Sequence, residues 1–290
     1  MHPAPSVIVF STLSGLGFGL LFWLGIDANP PTGLAAFIFF AIAFALAVGG
    51  LLSSTFHLGH PERAWRALSQ WRSSWLSREG VCAILALLCM GIYAIDLIFL
   101  QIHATALGLI GAALSLFTVF TTSMIYAQLD TVPRWKTPLT PALYLSFSLA
   151  GGALLSGRVN MAILLLVIAA ICQFIWWQRG DVALSDSGTD LGTATGLGER
   201  GTVRSMAHPH TAPNYLVKEF IFVIGRKHAQ KLRRIAFGLT FVLPIICLLL
   251  PFSHVLAIIA VLSHVAGVAT SRWLFFAEAE HVVGLYYGAR

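Results

Sequence analysis

Long uninterrupted apolar segments constrain this chain more than any other feature. An α-helix needs roughly 20 apolar residues to cross the hydrocarbon core of a bilayer, and eight segments approach that length. They cover approximately residues 7–26, 34–55, 81–101, 104–126, 141–155, 161–177, 235–250 and 255–276, of which the fifth, sixth and seventh are short. The first has no preceding Lys or Arg and no obvious cleavage site, so we interpret it as a span rather than a signal peptide.

The overall composition excludes an ordinary soluble domain. Hydrophobic residues make up 57% of the chain and charged residues 10%, with a mean hydropathy of +0.81, whereas soluble domains carry about 25% charged residues. The sequence therefore predicts an all-α polytopic membrane protein. We expect one integral domain over residues 1–290, a bundle of about eight transmembrane helices, and interfacial helices in the second and sixth loops.

The basic residues are distributed on one side of the predicted bundle. Seventeen of the 18 Lys and Arg residues fall on the side that holds both termini, and only Arg158 falls on the other. The net charge of +6 is therefore a sign of membrane topology rather than of nucleic-acid binding, and no nucleic-acid partner is expected. By the positive-inside bias, both termini are predicted to be cytoplasmic, in a bacterial inner membrane.

The cysteines and histidines argue against metal centres held by this chain. All four cysteines lie in apolar segments without a C-x-x-C motif, so we expect no disulfide, zinc site or iron–sulfur cluster of its own. A transmembrane b-type haem commonly takes two facing histidines. Only His264 lies deep in a predicted span, and no haem is expected.

Two loops are more than simple connections. The second, residues 57–80, reads HLGHPERAWRALSQWRSSWLSREG. Pro61 and Glu62 suit the first turn of a helix, and the Trp and Arg residues that follow suit the headgroup region, where a simple lipid anchor is one interpretation.

The sixth loop, residues 178–234, begins with a Gly-rich stretch that has flexible composition. Its glycines lack the G-K-[ST] sequence of a phosphate-binding loop. After Pro213, the sequence NYLVKEFIFVIGRKHAQKLRR predicts an interfacial helix that leads into the seventh span. A loop of this length is either disordered or ordered by a partner.

A histidine and a carboxylate are predicted to meet at the basic boundary of the membrane. His57 closes the second span and Glu79 opens the third, beside Arg63 and Arg66. Quinol oxidation releases two protons, so a histidine that hydrogen-bonds a quinone oxygen and a nearby acid would have clear tasks. The alternative is that both are ordinary helix-end residues.

Asp96 lies about 25 Å further along the third span, near its outer end or in a polar cavity, and cannot pair with Glu79.

Three motifs carry a resemblance to a known family. They are HLGHPERAWRALSQW…SWLSREG in the second loop, SMIYAQLDTVPRWKTPLTP after the fourth span, and SRWLFFAEAEHVVGLYYG near the C-terminus. With them, the chain resembles the membrane-anchor subunit of the dimethyl sulfoxide reductase family over essentially its whole length. The resemblance implies a haem-free anchor for a molybdopterin catalytic subunit and a ferredoxin-like iron–sulfur subunit. Molybdopterin and the iron–sulfur clusters are then expected only on these partners.

The same resemblance implies a quinone site. The anchor would bind menaquinone or ubiquinone and exchange electrons with the ferredoxin-like subunit. The histidine of the H-L-G motif and the acid that opens the next helix match His57 and Glu79, and Arg63 lies beside them.

The predicted orientation departs from the familiar pattern of the family, whose best-known members face the periplasm. A cytoplasmic His57–Glu79 end favours relatives that resemble the cytoplasm-facing sulfite:quinone oxidoreductases. The basic loops would then dock the partner, with Arg66, Arg72 and Arg78 meeting its acidic groups. A secondary transporter and a purely structural scaffold without a quinone site remain as alternatives. The terminal substrate and the direction of electron flow depend on the catalytic partner.

Overall fold

The computed structural model describes residues 2–207, 215, 220–221 and 227–287, apart from the side chain of His57. All regular elements in these ranges are helical, and eight of the helices are apolar. They are α1 (Pro5–Gly25), α2 (Gly33–Ser53), α3 (Trp75–Ile95), α4 (Thr105–Ala127), α5 (Leu139–Leu155), α6 (Val159–Asp186), α7 (Ala229–Leu249) and α8 (His254–Ala277).

The prediction of an all-α polytopic membrane protein is confirmed. Seven helices of the described residues are long and apolar enough to cross a membrane. The eighth, α5, is a shorter apolar helix of 17 residues, which lies at the lower limit for a transmembrane helix.

Several helix ends differ from the predicted ones, and α7 begins at Ala229 rather than at residue 235. Helix α3 begins at Trp75, six residues before the apolar segment, so Glu79 lies inside the helix rather than at its opening. Helix α6 continues to Asp186, nine residues beyond its predicted end. The reason is that hydropathy marks the edge of the bilayer, whereas a helix can continue into the polar headgroup region. Polar residues such as Arg179 and Asp181 are consequently held on a helix.

Helix α7 contains a break that explains a buried histidine. Its middle five residues, Gly238–Val242, form a π-turn, and Pro244 follows in the next turn. Because proline has no N–H, the carbonyl oxygen of Thr240 loses its helical partner four residues on. The Nδ1 atom of His264 lies 2.8 Å from this oxygen and donates to it. His264 therefore satisfies the break in the neighbouring helix.

Helix α1 lies in the centre of the bundle and packs against α2, α4 and α5. In its apolar stretch 67% of the residues are buried, compared with 28% in α2 and α6. Small residues allow these close crossings, as is usual in membranes. At the crossing of α1 and α5, a Cβ atom on Gly152 would lie 2.3 Å from the carbonyl carbon of Gly19, so the two backbones are in direct contact.

The end of the bundle away from the termini holds an ion pair. Arg158, the one basic residue that the sequence assigns to this side, lies 2.6 Å from Asp27 and stacks over the ring of Trp23. This pair joins the α1–α2 and α5–α6 connections. Asp96 lies at the same end, in the π-turn Asp96–Leu100 that follows α3.

At the opposite, basic end, part of the charge is neutralised within the bundle. Arg134 lies 2.6 Å from Asp181 and 3.5 Å from Glu278, and Arg233 lies within 2.7 Å of the same two acids. We call these four residues the ion-pair cluster. Arg272, one of the seventeen basic residues that the sequence count placed on this side, instead lies inside α8 and is only 3% exposed.

The two long loops are partly helical. In the second, a 3₁₀ helix covers Pro61–Gln70 and begins at the predicted residue. In the sixth, the Gly-rich stretch contains a short helix, Leu191–Thr195, whose capping box is closed by Asp190 and Thr193. This local capping explains why part of the stretch is helical, although its composition predicted a flexible segment. The interfacial helix predicted after Pro213 falls largely outside the described residues.

Adjacent glycines in α2 provide a matched test of the crossing with α1. A Cβ atom on Gly50 would lie 2.4 Å from the backbone nitrogen of Ser14, whereas one on Gly49 would meet nothing within 4 Å. We expect Gly50→Ala to lower the free energy of unfolding by about 1–3 kcal/mol, because the helices must separate. Gly49→Ala should raise it by up to about 1 kcal/mol through helix propensity. Thermal unfolding in detergent measures both, and equal effects would contradict the crossing.

Candidate functional site

A cavity of about 550 Å³ opens at the basic end of the bundle. Its volume lies in the range of small-molecule sites, roughly 300–1,000 Å³. The ends of α1, α2, α3, α4 and α8, the 3₁₀ helix of the second loop and the α4–α5 connection surround it. Its walls are mainly apolar and include Val7, Leu51, Leu68, Leu76, Tyr126 and Phe276. We call it the boundary cavity.

Glu79 supplies the carboxyl group of the boundary cavity. The early start of α3 places Glu79 one turn inside the helix, where it lines the cavity and is only 4% exposed. The hydroxyl group of Thr122, on α4, donates a hydrogen bond to its Oε1 atom. Among the side chains that the structure describes, none forms an ion pair with Glu79. The carboxyl group is thus buried beside a neutral partner and faces an open volume.

The second loop forms the roof of the cavity. Ala64, Ala67 and Leu68 of its 3₁₀ helix line the volume. The Ser77 hydroxyl group donates to the carbonyl oxygen of Ala67, which ties the roof to α3. A Cβ atom on Gly80 would lie 2.7 Å from Leu68 Cδ2, so the roof packs directly on the helix that carries Glu79.

The structure brings together only part of the predicted site. The backbone of His57 ends a short 3₁₀ helix, and its neighbours Ser54, Thr55 and Leu58 line the boundary cavity. The side chain of His57 lies outside the described residues, so its predicted role stays a prediction.

Arg63 is exposed and lies 3.8 Å from Glu62. A 3₁₀ helix repeats every three residues, so Arg63 and Arg66 lie on one ridge while Ala64 and Ala67 lie on another. The second ridge faces the boundary cavity, which explains why Arg63 is not among the described residues that line it.

The three arginines of the predicted docking surface have different surroundings. Arg66 and Arg72 are exposed and stack over the exposed rings of Trp65 and Trp71, at 5.5 and 5.4 Å. Arg78 instead donates to the carbonyl oxygens of Trp71 and Arg72, at 3.0 and 2.7 Å. Arg78 therefore fixes the loop, whereas Arg66 and Arg72 are available to a partner or to lipid headgroups.

Sequence reasoning missed the aromatic wall of the site. Tyr126, Trp135 and Phe276 line the boundary cavity, and the Tyr126 ring stacks on Tyr144 at a centroid distance of 6.0 Å. The guanidinium carbon of Arg272 lies 3.5 Å from the centroid of the Tyr144 ring. The signal was present, because these residues lie in or beside the family motifs of the fourth connection and the C-terminal end.

Arg272 is the most unusual residue near the site. A guanidinium group inside a membrane span costs free energy, so such a residue is a functional candidate by default. The described side chains form no ion pair with it, and its guanidinium group lies against the Tyr144 ring, which stacks on Tyr126. The cavity thus has a buried carboxyl group in its wall, and a buried cation lies behind the tyrosine pair, of which Tyr126 lines the cavity. This arrangement suits an aromatic ring with polar oxygens that gains or loses protons.

Comparison with known proteins agrees with the sequence motifs. The family model for the DMSO reductase anchor subunit (DmsC) matches residues 8–288. A sulfite dehydrogenase subunit from Allochromatium vinosum is 32% identical over 325 aligned positions, which cover 99% of each chain. No solved structure matches the chain. Because the family match extends over nearly every residue, the protein belongs to the DMSO reductase anchor subunit (DmsC) family.

Proposed function

We propose that the protein is the quinone-reactive membrane anchor of a heterotrimeric molybdopterin and iron–sulfur oxidoreductase that oxidises sulfite. In this role it passes electrons between the quinone pool and a ferredoxin-like subunit. The boundary cavity with its buried Glu79 carries the proposal. The name of its relative, a sulfite dehydrogenase subunit, supports the substrate.

The residues of the boundary cavity fit a quinone headgroup. Apolar walls accept the ring, and Glu79 with the loop after α2 offers polar groups for its oxygens. When bound, the quinone, menaquinone or ubiquinone, supplies two-electron and two-proton redox chemistry. Glu79 then takes a proton from a ring oxygen or returns one to it, as a general base or acid. His57 would contact the second oxygen.

Thr122 can hold Glu79 in both protonation states. Its single hydroxyl hydrogen has two acceptors within reach, Glu79 Oε1 and the carbonyl oxygen of Thr118, the latter at 2.9 Å. An ionised Glu79 receives this hydrogen. A protonated Glu79 donates to Thr122 instead, whose hydrogen then turns to Thr118. The site therefore exchanges a proton without leaving a buried group unsatisfied.

Arg272 places a positive charge behind the aromatic wall of the boundary cavity, where Tyr144 stacks on Tyr126. Its guanidinium group is fixed on the Tyr144 ring, so its positive potential is present before any ligand arrives. Such preorganised charge in a low-dielectric site is worth far more than in water. Arg272 acts through Tyr144 and Tyr126 and is a positioning residue.

The partner subunits are proposed to dock at the basic end, in the cytoplasm. The exposed Arg66 and Arg72 would meet acidic groups of the ferredoxin-like subunit, a complementarity that mainly raises the association rate. The proposed location is a bacterial inner membrane, in which the same charge distribution supports this orientation.

Replacement of Glu79 tests the quinone site against a scaffold without one. We expect Glu79→Gln to lower quinone-coupled turnover about 10²–10⁴-fold, the usual contribution of a general acid or base. Assembly, and sulfite oxidation with an artificial acceptor at the catalytic subunit, should persist. Glu62→Gln, on the exposed surface of the second loop, is the control. Intact quinone coupling in assembled Glu79→Gln complexes would favour the scaffold.

Replacement of Arg272 separates charge from packing. Arg272→Leu removes the cation, and we expect quinone-coupled turnover to fall at least about tenfold, equivalent to ~1.4 kcal/mol. Arg272→Lys keeps the charge and should restore most of this loss. The turnover of assembled complexes at several pH values provides the measurement. Equal turnover in the Leu and Lys variants would show that charge at this position is unimportant.

The orientation can be tested with fusions at the C-terminus. A fluorescent reporter that folds only in the cytoplasm should be active after residue 290, and a periplasmic phosphatase should be inactive there, because the basic loops resist translocation. The converse pattern would place the boundary cavity on the periplasmic side. Transport in proteoliposomes that contain this chain alone would instead favour the secondary transporter.

A further inference from the structure

A second cavity, of about 560 Å³, lies between α6 and α7 at the basic end. It shares no described residue with the boundary cavity. Its lining includes Phe174, Trp177 and Gln178 of α6, and Gln230, Arg234 and Val242 of α7. We call it the α6–α7 groove.

The lining of the groove changes from polar to apolar with depth. Gln178, Gln230 and Arg234 lie at its outer end, where α6 leaves the apolar segment and α7 begins. Val242 lies eight residues further along α7, about 12 Å deeper at 1.5 Å per residue. The rings of Trp177 and Phe237, with centroids 6.5 Å apart, form the floor. A ligand of this groove therefore has a polar end and an apolar end.

The charge available at the polar end is that of Arg234. The neighbouring Arg233 also lines the groove, but it belongs to the ion-pair cluster, in which two arginines are balanced by Asp181 and Glu278. Arg234 is exposed, and no acid among the described residues forms an ion pair with it. The rim thus presents one uncompensated cation beside two amide side chains.

A glycine at the start of the π-turn of α7 leaves room in the wall of the groove. Such single-turn bulges recur at functional sites. Gly238 begins this turn, and a Cβ atom there would meet nothing within 4 Å. The wall is consequently open at the position where a helix with an ordinary side chain would narrow the groove.

We propose that the α6–α7 groove binds an anionic phospholipid of the leaflet at the basic end. The phosphate contacts Arg234 and the amide groups of Gln178 and Gln230, and an acyl chain lies along Phe174 and Val242. Basic pockets between transmembrane helices suit such headgroups, and a hydrogen bond to a charged phosphate is stronger than one to a neutral group. A quinone is also amphiphilic, but its neutral ring makes no comparable use of Arg234.

Two variants and a matched control test this proposal. Arg234→Gln removes the cation, and Gly238→Leu fills the open wall. Arg179→Gln removes an exposed arginine next to Gln178 that lines a different cleft. The full-length protein is purified in neutral detergent, delipidated and titrated with phosphatidylglycerol, with phosphatidylcholine as the neutral counterpart, and bound lipid is counted by native mass spectrometry.

We expect the unmodified protein to retain one phosphatidylglycerol in preference to phosphatidylcholine. Arg234→Gln should weaken its binding about fivefold, the effect of one basic residue near an anionic headgroup. Gly238→Leu should abolish it, and Arg179→Gln should leave it unchanged.

Equal binding of both lipids, unchanged binding in Arg234→Gln, or a co-purified quinone that Gly238→Leu displaces would each overturn the proposal. Thermal unfolding confirms that each variant is folded. If Gly238→Leu does not fold, Arg234→Gln and its control decide the result.

Discussion

The hydrocarbon core of the bilayer offers no water to hydrogen-bond the backbone, and the rest of the structure depends on this constraint. It requires each span to be a helix, because only a helix satisfies its backbone within one segment. Where a helix is interrupted, a side chain must replace the lost bond. Pro244 removes the partner of the Thr240 carbonyl, and His264 from α8 supplies a new one. The Nδ1 atom of His264 thus takes the place of one missing backbone N–H group.

The same constraint concentrates the polar chemistry at one end of the bundle. Arg134 and Arg233 are shielded there by Asp181 and Glu278. Glu79 differs from these acids because its described partner is a neutral hydroxyl group. A buried carboxyl group without a cation in contact can change its protonation state without breaking an ion pair. Its position near the boundary also provides a short path for protons to the aqueous phase.

The sequence predicts the spans well, because a helix in contact with lipid must be apolar over its whole length and this shows directly in the residue types. It predicts helix ends less well, as Trp75 and Asp186 illustrate, because the helix persists where hydropathy falls. The choice of Glu79 as a candidate site residue could be made from the second-loop motif. The contacts that join Tyr126, Tyr144 and Arg272 could not be derived from spacing, because these residues come from three different helices and meet only through tertiary packing.

At the basic end, the second loop lies between the proposed quinone site and the proposed docking surface for the partner subunit. Its 3₁₀ helix has one ridge on the boundary cavity, with Ala64 and Ala67, and another that presents Arg66 to the outside. A partner bound on the outer ridge would therefore be separated from the cavity by one helix, whose diameter is roughly 10–12 Å. This thin roof would allow an iron–sulfur partner to approach the quinone closely. Arg78, which holds the loop in place through two backbone carbonyl groups, would then maintain the distance between the two redox groups.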